Sequence, residues 1–513
     1  MERLRSAGPS LPASHSAAGR EGSGRVRCAH HGGVEGARSG PYRLGQTAWA
    51  ARPLRERLRI LRALRHGLAA RSAELVRAVR QETSRPEAEI LSSEIVPLAD
   101  ACRFLEREAP RLLATRRLGA DGRPAWLTGV ESEVRREPLG LVLVIAPSNY
   151  PLFLPGVQAV QALAAGNAVL WKPGRGGLAA AEAFGALAAS AGLPAGLLTV
   201  LPESPDAARE AIAAGVDKVL LTGSAATGRE VLADLARRLV PAAVELSGCD
   251  ALFVLPGADL ERVARAIRFG LALNGGATCI APRRVFVPHE LAPRLEERIA
   301  ALAAELPAVP LDSETASRVR VLVAGAIEQG SRLLVGSLDR DALHPMVIAD
   351  ALPSMRLLRE DLFAPVVSLV RVSGMEEALA DAALCPYALG ASVFGPEDAA
   401  VALAGRVRAG IVVINDAIVP TADPRLPFGG RGASGFGTTR GAEGLLELTV
   451  PKVVAIRRGR RLPHLENPQP GDADLFRAWL SLAHGGGPRA RLRGALDLAR
   501  ALVLRGRKGR TVQ

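Results

Sequence analysis

Residues 141–173, LVLVIAPSNYPLFLPGVQAVQALAAGNAVLWKP, decide the fold. The stretch opens on an unbroken apolar run at 141–146, which reads as a strand buried on both faces. Pro147-Ser-Asn149-Tyr-Pro151 punctuates it as a turn. An Ala-rich segment follows and reads as a helix, and residues 168–171 form a second buried run. Strand, helix and strand in this order form a crossover unit, whose two strands lie parallel.

Working outward, the same alternation continues. Residues 198–201, 218–221 and 242–246 read as further strands with helices between them. A second alternating series follows, with strands near 251–255, 284–287, 365–370, 391–394 and 411–414. Its helices fall near 260–273, 291–305, 375–383 and 399–407. The expected fold class is therefore α/β, with two tandem, doubly wound α/β units. On the N-terminal side, Leu54, Leu58, Leu61 and Leu64 recur at helical spacing and predict an amphipathic helix over 52–81. A second helix is expected over 87–113.

Both ends differ in character. Residues 1–45 are rich in Gly, Ser, Ala and Arg without apolar periodicity, and are expected to form a disordered basic arm. The tail, 457–513, is basic and interrupted by Pro and Gly. Its Leu-rich stretch at 491–504 predicts a helix whose simplest role is docking on its own protein. A membrane surface and a partner helix are the alternatives.

Composition narrows the function. The chain has 513 residues, more than one ordinary core accommodates, and 48% of them are hydrophobic. No apolar run reaches the roughly 18 residues of a membrane span, so a soluble, cytoplasmic protein is expected. The net charge of +13 is spread along the chain, with no aromatic-interleaved basic stripe. Nucleic acid is therefore not an expected partner. The five cysteines are widely spaced without a C-x-x-C, which argues against a disulfide framework or zinc ribbon. The eight histidines form no H-E-x-x-H, so no metal site is expected.

Two glycine patterns invite a phosphate-binding reading. Gly430-x-Gly432-x-x-Gly435 matches the dinucleotide fingerprint as a string, but no strand leads into it and no helix starts there. Gly223-Ser-Ala-Ala-Thr-Gly228 follows a strand and opens a helix. The free N–H groups and partial positive charge of a helix N-terminus suit a pyrophosphate.

Several short motifs now occur in a fixed order. They are Pro147-Ser-Asn149-Tyr-Pro151, Gly166-Asn167 through Lys172-Pro173, Thr222-Gly223-Ser224 and Glu245-Leu246. Asn274-x-Gly276-x-x-Cys279, Phe363-x-Pro365, Pro427-Phe-Gly-Gly430 and Ser434-Gly-Phe-Gly437 follow. Together they resemble the signature series of the aldehyde dehydrogenase superfamily, over roughly residues 52–454.

That resemblance implies a set of roles. Cys279 matches the nucleophile, Asn149 the oxyanion donor and Glu245 the general base that activates water. Lys172 matches the cofactor-ribose lysine, and Gly223 and Ser224 the pyrophosphate turn. Asp361 and Phe363 match the pair at the nicotinamide ribose. The implied architecture is a cofactor-binding domain over 46–247, with a hairpin near 118–138, and a catalytic domain over 248–430. A return segment and bridging strand over 431–456 would complete a homodimer or homotetramer.

Departures from the family pattern are informative. Asp361 stands where Glu is usual, and Ala364 where Gly is usual. Ser148 replaces a Trp, which widens the substrate entrance, and Ser247 and Cys249 alter the stretch after Glu245. Arg175 occupies the position where NAD-preferring members often carry Glu. Arginine cannot accept hydrogen bonds from ribose hydroxyls but pairs with a 2′-phosphate, so NADP is favoured slightly over NAD. The expected activity is oxidation of an aldehyde, hydrophobic or aromatic, to an acid. A CoA-acylating relative is the alternative among enzymes, and a catalytically silent binding protein the alternative outside them.

Overall fold

The computed structural model describes residues 41–81, 83–339, 342–458, 462–465 and 467–508. Residues 1–40 of the expected arm lie outside them. From Pro41 onward the chain is helical, over Pro41–Ala51, which corrects the arm's expected boundary at 45. Tertiary polar contacts hold this helix. Trp49 is buried and donates from Nε1 to the Leu163 carbonyl at 2.9 Å, and Arg43 pairs with Asp217 at 2.8 Å.

The opening stretch folds as its pattern dictates. Leu141–Ile145 is a strand with every residue buried. Ala168–Lys172, equally buried, lies parallel beside it, with Val142 opposite Val169 and Ile145 opposite Lys172. The crossover helix Phe153–Ala165 is buried all round, because it packs beneath the helices Leu54–Ala70 and Val96–Leu112. These helices are the expected amphipathic pair. The first breaks at Arg71 before Ser72–Arg80, and a π-helical turn, Leu91–Ile95, precedes the second.

The first sheet has six strands, in the order Gly435–Phe436, Ala242–Leu246, Lys218–Gly223, Leu141–Ile145, Ala168–Lys172 and Leu198–Val200. All pairings are parallel except that of Gly435–Phe436, which runs antiparallel to Ala242–Leu246 and sets Gly435 opposite Glu245. This one edge returns the chain beyond 430 to the Glu245 strand. The Gly430–Gly435 segment accordingly forms short strands and starts no helix.

The second sheet has eight strands. Its parallel centre comprises Ala342–Ala349, Val366–Val372, Pro282–Pro288, Asp250–Val254, Gly390–Phe394 and Ile411–Ile414. At one end Arg332–Asp339 and Val309–Pro310 pair antiparallel with Ala342–Ala349. That hairpin and the helix Ser313–Glu328 were not among the expected elements, since Arg332–Asp339 is half-exposed and lacks a continuous apolar run. Apolar clusters cover both faces of this sheet.

Both sheets lie in one compact unit, formed by the described residues of 1–114 and 136–450. A second unit comprises 115–135 and the described residues of 451–513. It holds the strand Arg116–Leu118 and most of the strands Val130–Pro138 and Thr449–Arg457, which form a three-stranded sheet. The tail forms two helices, Asp472–His484 and Pro488–Lys508, packed on one another. No helix among the described residues is long and apolar enough to cross a membrane.

Candidate active site

The loop carrying Cys279 is built by backbone geometry. After the helix Leu260–Ala272 the chain turns left-handed at three consecutive residues, Asn274 (φ 50°), Gly275 (φ 59°) and Gly276 (φ 77°). A Cβ on Gly276 would lie 2.6 Å from the Pro365 nitrogen and 2.7 Å from its Cα. Backbone cannot yield there as a flexible side chain would, so the position demands glycine. Gly276→Ala is expected to destabilise the fold by about 2–4 kcal/mol. An unchanged denaturant midpoint would show that the loop tolerates a side chain.

Side chains then pin this loop. The Tyr150 and Thr278 hydroxyls hydrogen-bond at 2.7 Å in a buried setting. Arg283 is buried and donates to the carbonyls of Ala364 and Gly276. Asn149 donates from Nδ2 to the Ala277 carbonyl at 2.9 Å, and its own carbonyl accepts from Asn274 Nδ2 at 2.8 Å. An amide carries two N–H donors, so one fixes Asn149 against the loop and the second remains for a ligand.

Beneath this turn lies an ionic network that sequence reasoning missed. Arg85 pairs with Glu94 at 2.6 Å and with Glu89 at 2.8 Å, and also donates to the Asn149 carbonyl at 3.3 Å. Glu94 accepts from the backbone of Leu152 and Phe153 at 2.9 and 2.8 Å. There it compensates the N-terminus of the crossover helix. Glu89 accepts from the Asn274 backbone at 3.0 Å. The network ties the Asn149 turn to the Cys279 loop. Arg85, Glu89 and Glu94 are neighbours in sequence, but the backbone groups they hold at Asn149, Leu152, Phe153 and Asn274 are far from them, and no local motif announces the pairing.

Cys279 and Glu245 line one cleft of about 510 Å³. Tyr150, Phe153, Leu154, Phe269, Ile418 and Phe428 give it mainly apolar walls. Cys279 is part-exposed. Burial holds its thiol well above the ordinary value, and the carboxyls of Glu245, Asp250 and Asp361 reinforce the shift, while Arg440 opposes it. Glu245 is 3% exposed. Its Oε2 accepts from the Thr439 hydroxyl at 3.2 Å, and its Oε1 is buried without a partner among the described residues. Burial raises this carboxyl above its usual range, with Arg440 and Thr439 pulling it back. A carboxyl raised in this way holds a proton more readily than an exposed one.

Arg440, absent from the sequence expectations, lines the same cleft. It donates from Nη1 to the Thr421 carbonyl at 2.7 Å. Its guanidinium lies 4.1 Å from the Phe428 ring centroid and 5.7 Å from that of Phe153. Cys249, by contrast, is buried outside the cleft with its thiol toward the Leu358 carbonyl at 3.7 Å.

The residues expected to hold a nucleotide gather at the carboxyl ends of the first sheet's strands, where open α/β sheets bind ligands. Lys172 ends its strand mostly buried, and its ammonium forms no hydrogen bond or ion pair with the described residues, Glu203 being the acid that acts on it. Gly223 ends the neighbouring strand but one, and Ser224 caps the helix Ala225–Ala236 by accepting from the Thr227 backbone at 3.1 Å. Arg175 is exposed in the turn after Lys172. Glu203, another residue not anticipated, accepts from the backbone of Gly176 and Leu178 at 3.1 and 2.7 Å. The donor set of an unpaired ammonium, an exposed guanidinium and a helix N-terminus fits a dinucleotide.

Asp361 and Phe363 precede Pro365, against which Gly276 of the Cys279 loop packs. Asp361 is buried, and its Oδ1 accepts from the Phe363 backbone at 2.9 Å and faces Arg283 at 3.8 Å. Burial raises this carboxyl, and Arg283 opposes the shift. Phe363 itself has φ 52°, so the Asp361 contact holds a strained turn.

Comparison with known proteins agrees with this geometry. The profile of the aldehyde dehydrogenase family matches residues 17–454. The chain is 32% identical over 455 residues to 4,4'-diapolycopene aldehyde oxidase of Methylomonas sp, covering 85% of this chain and 84% of that protein. It is 33% identical over 438 residues to vanillin dehydrogenase of Pseudomonas fluorescens, covering 81% and 88%. NADP-dependent glyceraldehyde-3-phosphate dehydrogenase from Bacillus halodurans C-125, solved with NADP, superposes with a TM-score of 0.76 at 29% identity, covering 82% and 90%. On sequence, fold and site together, the chain belongs to the aldehyde dehydrogenase family.

Proposed function

We propose that the chain oxidises an aldehyde to a carboxylic acid with NADP, or less efficiently with NAD, through a thioester on Cys279. The observation that carries this reading is one apolar cleft shared by Cys279 and Glu245, with the Asn149 amide pinned to the backbone just before the thiol. Cys279 gives its proton to solvent and attacks the carbonyl carbon as the thiolate, forming a C–S bond and placing negative charge on oxygen. The second N–H of Asn149 meets that charge, together with the Cys279 backbone N–H. A bound nicotinamide supplies the hydride acceptor. Loss of hydride from the same carbon leaves the thioester. Glu245 then takes a proton from water, the resulting hydroxide adds to the thioester carbon, and the C–S bond breaks to return Cys279 and release the acid.

Lys172, Ser224 and the backbone from Gly223 are assigned to the cofactor's ribose and pyrophosphate, and Asp361 and Phe363 to its nicotinamide end. The NADP preference rests on Arg175, an exposed guanidinium whose charge also acts on Asp312. Glu203 lies close by, but its two oxygens are already engaged by backbone N–H groups. Arg175→Glu is expected to reverse the preference, lowering kcat/KM with NADP by roughly tenfold or more, the scale of one charge-assisted contact. Unchanged selectivity would remove Arg175 from the cofactor site.

The apolar walls favour hydrophobic or aromatic aldehydes, in keeping with relatives named for a diapolycopene aldehyde and for vanillin. A homodimer or homotetramer would form through Thr449–Arg457, whose Val450, Val453 and Ile456 are exposed. A cytoplasmic setting fits this chemistry. The test is nicotinamide reduction by the full chain with aliphatic and aromatic aldehydes, offering NAD and NADP separately, with and without CoA. Aldehyde-dependent reduction without CoA, faster with NADP, is expected. Reduction that requires CoA would replace this reading with the acylating one. No reduction by folded protein would point to a binding role.

A further inference from the structure

Arg440 is a buried cation that the steps above do not use, although its Nη1 holds the Thr421 carbonyl. Its residue is 5% exposed, and its Nε is buried without a partner among the described residues. Its backbone sits at φ 61°, a conformation that glycine adopts freely and arginine only at a cost. A structural position of this kind would be filled more stably by glycine, or by an apolar side chain between Phe153 and Phe428. An arginine kept there despite strain and desolvation marks a use for its charge.

The neighbours define that use. Thr439, the preceding residue, holds Glu245 Oε2, and the bridge between Phe428 and Thr439 fixes the segment over the cleft. The ionisable groups acting on Cys279 are the carboxyls of Glu245, Asp250 and Asp361 and one guanidinium, Arg440. Tyr150 adds a buried phenol bound to Thr278. On Arg440 the acting anions are Glu245 and Cys279. Arg85, at the outer part of the site, is already committed to Glu89 and Glu94. Asp361 already faces Arg283 at 3.8 Å, and Arg284 and Arg283 act on Asp250, so Arg440 is the cation acting on both Cys279 and Glu245.

We propose that Arg440 is a positioning residue for acyl transfer, its guanidinium compensating the negative charge that Cys279 carries as nucleophile and that Glu245 carries as base. The proposal rests on the reading of Cys279 as nucleophile. It adds that the thiolate and the carboxylate coexist in a desolvated cleft because a third group neutralises part of their charge. No ion pair within 4.0 Å joins Arg440 to Glu245 among the described residues. The cation therefore acts through space and leaves both anions free to react.

The test reads thiolate formation directly. Full-length protein without nucleotide is alkylated with iodoacetamide from pH 6 to 10, and modification of Cys279 is followed by peptide mass spectrometry. Arg440→Leu fills the space between the rings. Arg440→Gly removes the charge and relieves the backbone, so it serves if the leucine variant fails to fold. Near pH 7.5 both are expected to alkylate on the order of tenfold more slowly than the unaltered protein. Arg440→Lys should recover most of the rate, and guanidinium ion at millimolar concentration should partly rescue Arg440→Gly. Alkylation profiles matching the unaltered protein would overturn the proposal. So would a loss of turnover confined to aldehydes bearing a carboxylate, which would make Arg440 a substrate-binding residue. Because alkylation is measured without turnover, its outcome is separable from failure of the thioester mechanism, which Cys279→Ala addresses.

Discussion

Cys279→Ala is expected to lower aldehyde-dependent nicotinamide reduction by about 10⁴-fold or more, the scale on which removing a covalent nucleophile acts. The substitution deletes one sulfur and little else. The loop around it is held by Tyr150 on Thr278, Asn149 on Ala277 and the left-handed turn at 274–276, none of which involves the thiol. The melting temperature should therefore stay within about a degree or two, since surface-like truncations away from packed cores change stability little. Cofactor binding, followed by nucleotide fluorescence, should also persist. Activity retained in this variant would place the nucleophile elsewhere. Among the described cysteines, Cys102, Cys249 and Cys385 are all buried and outside the cleft.

Glu245→Gln is the second large effect, and its signature is kinetic. The amide keeps the volume of the side chain at the end of the buried strand Ala242–Leu246 and can still accept from Thr439. It cannot take a proton from water. Acylation should survive and deacylation fail, so reduced nicotinamide should appear as a burst of about one equivalent per site. Steady turnover should then be slower by roughly 10²–10⁴-fold, the span of general base catalysis. The pH dependence carries a sign. Burial raises the Glu245 carboxyl, so the unaltered enzyme's deacylation should decline on acidification through a value above the ordinary carboxylate range. The glutamine variant should lack that limb. An unchanged steady rate, or no burst, would assign the base to another group.

Much of this fold was legible because buried parallel strands have no wet face. The runs at 141–146 and 168–171 could pack in few other ways. The half-exposed strand Arg332–Asp339 offered no such run, and the helix Pro41–Ala51 owes its place to Arg43 and Trp49 meeting residues more than a hundred positions away. The site divided likewise. Cys279, Glu245 and Asn149 stand in short ordered motifs that mirror local geometry. Arg440 stands in a glycine-rich segment that reads as a solvated loop. It enters the cleft only because Gly435–Phe436 pairs with the Glu245 strand and Phe428 bridges Thr439. Arg85, Glu89 and Glu94 were equally silent, since their partners Asn149, Phe153 and Asn274 are brought in by tertiary folding.

The most direct test of the account is to trap the covalent intermediate. Glu245→Gln protein is mixed with NADP and a hydrophobic aldehyde, quenched in acid during the burst, and digested for mass spectrometry. The account predicts an added acyl mass on the peptide containing Cys279, labile to hydroxylamine and absent when the cofactor is omitted. An unmodified Cys279 peptide alongside full formation of reduced nicotinamide would contradict it.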